Sequence, residues 1–224
     1  MKQINKIVIT SITLLLSLSF SVQATIVGFS RCLGANSCEV TATPPNPIAV
    51  NPNNGILLGW NEVQNLTLTS KLYVDRVFDN TASFVGSDTN GLFLKAGTIV
   101  SSHYFQWDPG NGSSSRVNAT IETDSQVFAF ITNTQKLFDT DALLGLTGLD
   151  YADFTLRGLE GGDTTVFSGG AVDIGWSASS PGDWTRMVTA FSPSAVPVPA
   201  AFWLFASGFI GLIGLRKKET QKVG

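Results

Sequence analysis

The chain has 224 residues, a formal net charge of −3, 43% hydrophobic residues and only 14% charged ones. This length suits one ordinary domain plus targeting segments. Eight basic and sixteen acidic residues fall between positions 25 and 195, so the middle of the chain carries about −8; such a field repels a phosphate backbone and argues against nucleic-acid binding.

The first 24 residues have the three-part layout of a secretory signal peptide. Lys2 and Lys6 precede an apolar run from Ile7 to Phe20, and Val22-Gln23-Ala24 places small residues where a signal peptidase reads them. The run is short for a bilayer span, which favours cleavage after Ala24 over an uncleaved anchor. Cys32 and Cys38 follow closely. In an exported chain two cysteines so placed predict a disulfide; metal ligation is the rival, but no further thiolate or imidazole lies nearby.

From residue 25 to 192 the pattern is one of short strands and turns. Residues 41–54, rich in Pro and Asn, read as a loop leading to the first long strand. Leu66, Leu68, Leu72 and Val74 alternate with polar residues and predict one strand with one buried face. Val117, Ala119 and Ile121 do the same, as do Val172, Ile174 and Trp176; 184–191 and 164–167 read as further strands. Val127-Phe128-Ala129-Phe130-Ile131 is apolar on both sides and predicts a central strand covered on both faces. Between these lie Asn-, Asp-, Pro- and Gly-rich turns, among them Asp88-Thr89-Asn90-Gly91, Asp108-Pro109-Gly110 and Pro181-Gly182-Asp183. Residues 139–146 have room for a single helical turn capped by Asp139 or Thr140. The expected class is all-β: an antiparallel, jelly-roll-like β-sandwich with Trp60, Phe105, Trp107, Phe128, Phe130, Trp176 and Trp184 as core candidates. About 170 residues bury enough apolar area for such a body to fold unaided.

Chemistry is sparse. His103, the only histidine, shares a strand side with Phe105 and Trp107, which favours a buried, hydrogen-bonded imidazole over a general base. No nucleophile elbow, zinc-protease helix or phosphate loop occurs. Glu122 and Asp124 are two apart on one strand side, the spacing from which a glycosidase-type carboxylate pair would start, though solvated strand ends give the same pattern. For calcium, the hard-oxygen candidates are Asp139 with Asp141, Asp150 with Asp153, and Asp88 with Asn90; none forms an EF-hand. If exposed, Tyr73, Tyr104 or Trp107 would offer a stacking surface to a glycan.

The tail is different in kind. After a linker at 193–199, residues 200–215 are all apolar or small. As a helix they reach about 24 Å, close to a bilayer's hydrocarbon thickness. Pro197 and Pro199 suit the entry to that helix, and Trp203 suits the headgroup zone. Gly208, Gly211 and Gly214 allow another helix to approach, and Leu215 is the last apolar residue before Arg216, Lys217 and Lys218, which hold a basic 216–224 tail in the cytoplasm.

These residues carry a resemblance. Val196-Pro197-Val198-Pro199-Ala200-Ala201, an apolar Gly-containing helix and a basic end resemble the C-terminal sorting signal of PEP-CTERM proteins, in its VPLPA-type variant, with Val198 where the name-giving pattern has Glu. The resemblance covers about 25 residues. It implies an exosortase, a membrane protease-transpeptidase, as partner, with transient residence in the inner membrane and cleavage near the proline motif. It further implies a final place at the cell surface or outside the cell, often alongside exopolysaccharide. The expected function is that of a non-catalytic surface or matrix protein without a cofactor. The alternatives are a carbohydrate-binding module, with or without calcium, and a glycan-active enzyme using Glu122 and Asp124.

Overall fold

The fold is described from a computed structural model, for residues 26–110, 114–152, 155–179 and 181–192. The expected signal peptide, the sorting motif expected at Val196–Ala201, the expected membrane helix at 200–215, Arg216–Lys218 and Asp153 lie outside the described residues. Among the described residues no helix is long and apolar enough to cross a membrane.

Alternating apolar residues generate fourteen strands among the described residues, arranged in three sheets. The first sheet pairs β1 (Ile26–Leu33) with β10 (Ser115–Thr123), β10 with β13 (Ala171–Ala178), and β13 with β12 (Thr164–Ser168), all antiparallel. The central sheet runs in the order β2 (Ser37–Val40), β3 (Ile56–Asn61), β9 (Ile99–Trp107), β14 (Asp183–Thr189), β11 (Val127–Ile131), β6 (Arg76–Val77). Its β2–β3 pair is parallel, and β4 (Leu66–Thr67) also pairs with β9. A small sheet orders β5 (Leu72–Val74), β8 (Gly91–Leu94) and β7 (Val85–Asp88).

The central sheet is buried on both faces. Towards the first sheet, Phe105, Trp107, Phe130 and Met187 pack with Val117, Ile121, Val172, Ile174 and Trp176. Towards the other side, Trp60, Tyr104, Ile131, Trp184 and Val188 pack with Leu72, Val74 and Leu94 of the small sheet and with Leu137 and Leu144 of helix α1 (Thr134–Leu144). Period two therefore sends neighbouring residues of β9 and β14 into different cores, which is why both strands read as buried almost throughout. β11 also serves both cores, as its continuous apolar run predicts: Ala129 and Ile131 enter one and Phe130 the other, and a register irregularity between Val127 and Ala129 lets Val127 join Phe130. The body is thus sandwich-like and all-β apart from one helix. Among the core candidates, Phe128 alone is only partly buried.

Three expectations need correction. The strand predicted over Leu66–Val74 is two strands in different sheets, because Ser70 occupies the inward position where alternation would need an apolar side chain, and the chain turns there, with Leu68 bonded to Thr98 and Gly97. The single turn predicted within 139–146 is an eleven-residue helix that starts earlier: the Asn133 side chain, not Asp139 or Thr140, accepts from the amides of Gln135 and Lys136. Finally, β1 and β2 precede what the sequence suggests is the first long strand. The disulfide between Cys32 and Cys38 does form, and it ties β1 of the first sheet to β2 of the central one.

Candidate functional site

The edges of the two large sheets, β6 and β12, face the same groove. Arg76 and Val77 come from β6, Thr165 and Phe167 from β12, and Phe78, Asp79, Asn80 and Leu92 complete an open hollow of about 740 Å³. Arg76 Nη1 donates to Thr165 Oγ1 over 2.7 Å and holds the two edges together. Phe78 meets Phe167 edge to face at 6.0 Å, and Phe167 meets the buried Phe130 at 5.8 Å. This stack anchors an aromatic ring that is 40% exposed at the groove wall. Asp79 accepts from the hydroxyl and amide of Thr81, which hold its carboxyl below the usual carboxylate range and so ionised. The groove therefore offers an aromatic face, a guanidinium, a carboxylate and an amide. Asp79 is the sole carboxylate among its lining residues, so the two-carboxylate geometry of glycoside hydrolysis is not assembled there.

A second hollow, of about 770 Å³, lies between α1 and residues 145–152, over a buried ionic cluster. Arg186 donates to Glu62 through Nε (2.6 Å) and Nη2 (2.8 Å), and to Asp141 Oδ1 (2.9 Å). Arg157 forms a two-pronged pair with Asp141, both contacts 2.6 Å, and its Nε donates to the Tyr104 hydroxyl. Ser102 and Tyr151 donate hydroxyls to Glu62. Two positive and two negative charges thus cancel. Burial pushes the phenols of Tyr104 and Tyr151 well above their ordinary range, so both stay protonated donors or acceptors at any ordinary pH. The cluster fastens the central sheet to α1 and has no reactive group left over.

The sequence-derived candidates are dispersed. Cys32 and Cys38 are together in the disulfide. Asp141 is held by two guanidinium groups, and Asp139, two residues away on the helix, accepts from Gln135 Nε2; residues so spaced do not share a helix face. Asp88 accepts from Lys71, Tyr73 and the Asn90 amide. Among the described residues no three His, Cys, Asp or Glu side chains are grouped to hold a metal ion. Glu122 lies on the outer face of β10 opposite Gly28 and Ala171, whereas Asp124 leaves the strand and accepts from the Ser192 hydroxyl. Tyr104 and Trp107 are fully buried and cannot meet a glycan; Tyr73 is half-buried.

His103 is sealed between the sheets. Its Nδ1 lies 2.9 Å from Asn61 Oδ1, which also accepts from the Ile26 amide, so Nδ1 carries the proton and Nε2 faces the Thr189 hydroxyl at 3.1 Å. Burial pushes its pKa down to about 3, and it is neutral.

The groove escapes sequence reasoning because Phe78 and Phe167 are 89 positions apart and neither sits in a recognisable motif; the only local signal is an aromatic residue beside short strands. Compared with protein-family models, with curated proteins and with solved structures, the chain matches none.

Proposed function

We propose that this chain is an exported cell-surface or extracellular-matrix protein, delivered by a PEP-CTERM-like tail and associated with exopolysaccharide without catalysing its turnover. The observation that carries the reading is the succession Val196–Ala201, apolar 200–215 and Arg216-Lys217-Lys218 at one end of a chain that opens with a signal-peptide pattern. The Cys32–Cys38 disulfide supports it, since such bonds persist in oxidising compartments. So does a sandwich-like, mostly antiparallel body, in which β1–β10, β3–β9 and β11–β14 pair across long connections. The test is fractionation of cells with and without the sorting protease. The expected result is a shortened, tail-less protein outside the inner membrane only when the protease is present. Full-length protein still carrying Arg216 in both strains would overturn it.

The edge groove favours a second reading, a carbohydrate-binding module. An exposed Phe78 ring supported by Phe167, beside Arg76, Asp79 and Asn80, supplies a stacking face with polar groups at its rim. A glycan array read at high protein concentration tests it. Binding that Phe78→Ala weakens at least tenfold supports this reading, and an array with no binder removes it. The glycan-active enzyme stands third, since Asp124 is turned towards Ser192 rather than towards a partner carboxylate.

A further inference from the structure

Asp183 opens β14 opposite Trp107, the last residue of β9. Period two places it on the side of Met187, which faces the first sheet. The residue is 2% exposed, and its Oδ2 is buried and accepts no hydrogen bond among the described residues. Gly182, at φ +96°, presses the preceding turn onto Asp108: a Cβ there would stand 2.5 Å from the Trp107 carbonyl and 2.8 Å from Asp108 Cβ. Asp108 accepts from the amides of Gly110 (2.9 Å) and Asn53 (3.3 Å). Asn53 has a second buried oxygen without a hydrogen bond, its Oδ1. Asp163 reaches the same region from the other sheet, accepting from the amides of Ser177 (2.7 Å) and Glu160 (2.9 Å). Among the described residues, none of these acids has an ion pair.

Burial first, then the charges of Asp163, Glu160 and Asp108, push the Asp183 carboxyl up to about 8. An unpaired buried oxygen in such a field is costly. Among the described residues no ion pair compensates it, and the remaining lone pairs are hard oxygens at the ends of strands and in turns.

We propose that this end of the two sheets binds a calcium ion, with Asp183 Oδ2 as its central ligand and Asp108 and Asn53 Oδ1 beside it. Calcium accepts six to eight oxygens in irregular geometry, so backbone carbonyls and water complete its shell; magnesium demands a tighter octahedron. Because, among the described residues, three acidic side chains do not group on one point, few charged ligands reach the ion. The dissociation constant belongs in the weak range of about 10⁻⁴ to 10⁻³ M. The site is independent of both the export reading and the glycan groove.

The test is a calcium titration of the full chain in detergent at pH 8, followed by calorimetry and thermal melting, with sodium chloride matched for ionic strength. The expected result is saturable heat and a Tm rise of about 3–6 °C at 10 mM calcium, from mass action on the folded state. Asp183→Asn removes the charge at constant volume, so it should fold and lose the response. Asp108→Asn should weaken binding at least tenfold, and Asp79→Asn, in the groove, should leave it unchanged. No heat and no Tm change in folded wild-type protein overturns the site. So does an equal rise with sodium chloride, or a calcium response that survives in Asp183→Asn.

Discussion

Asp183 and His103 are both buried and titratable, and they bias stability in opposite directions. For Asp183 the folded-state pKa, about 8, stands above the unfolded value near 3.9. Between those values the folded chain retains a proton that the unfolded chain has released. The stability this group contributes is therefore complete below about pH 4, declines as pH rises, and is gone above about pH 8. Asp183→Asn has no such slope. In calcium-free buffer the variant should match wild type near pH 4 and exceed it by a few kcal/mol at pH 8, read from urea unfolding at both pH values; a variant no more stable at pH 8 would refute the burial of a strained carboxyl. His103 works the other way. Its folded pKa, about 3, lies below the unfolded 6.5, so its contribution is present above pH 6.5 and is lost as pH falls towards 3. His103→Gln should show a shallower loss of stability than wild type between pH 6 and pH 4. The burial of His103 was legible from its alternation with Phe105 and Trp107, whereas that of Asp183 was not. Pro181-Gly182-Asp183 reads as turn chemistry, and only the packing of Gly182 onto Asp108 reveals that the turn ends inside the body.

At the scale of elements, the sequence specifies strands well where alternation is unbroken: β10 and β13 carry the predicted inward residues Val117, Ala119, Ile121, Val172, Ile174 and Trp176. It specifies poorly what depends on partners. Nothing local distinguishes β4 from β5 except Ser70, and α1 is capped by an Asn133 that also donates its amide to Asp75, 58 positions away. The ionic cluster under α1 is the clearest case. Glu62, Asp141, Arg157 and Arg186 look like four ordinary surface charges until β3, β14 and α1 are brought together. Because the charges are buried and fully paired, removing one leaves the others exposed to a low dielectric. Arg186→Met should therefore cost about 3–5 kcal/mol in urea unfolding, and the double variant Arg186→Met/Glu62→Leu should cost less than the sum of the two single changes. Additive losses would mean that the pair is not coupled. The Cys32–Cys38 bond acts differently, since it joins an edge strand of each large sheet through a short loop. Replacing both cysteines by serine should lower stability by about 2 kcal/mol, measured by the same unfolding, and leave the sheets intact.

At the scale of the whole molecule, fold class and cores were readable because period-two patterns and turn residues are local, while the groove was not, because it forms where two sheet edges meet. The charge distribution is informative at this scale too: acidic residues outnumber basic ones two to one between positions 25 and 195, and basic residues concentrate at the two ends. If those ends are addresses, they are dispensable to the body. Four of the five tryptophans, Trp60, Trp107, Trp176 and Trp184, are each fully buried within residues 56–189. A body with that much aromatic burial exceeds the size at which domains need outside support. A chain ending at Ala195 should accordingly be exported, remain in solution without detergent, and melt within about 2 °C of the full chain in the same buffer. Retention in the membrane fraction, or a melting transition that broadens or disappears, would mean that residues 196–224 help to hold the sandwich and are more than a sorting label.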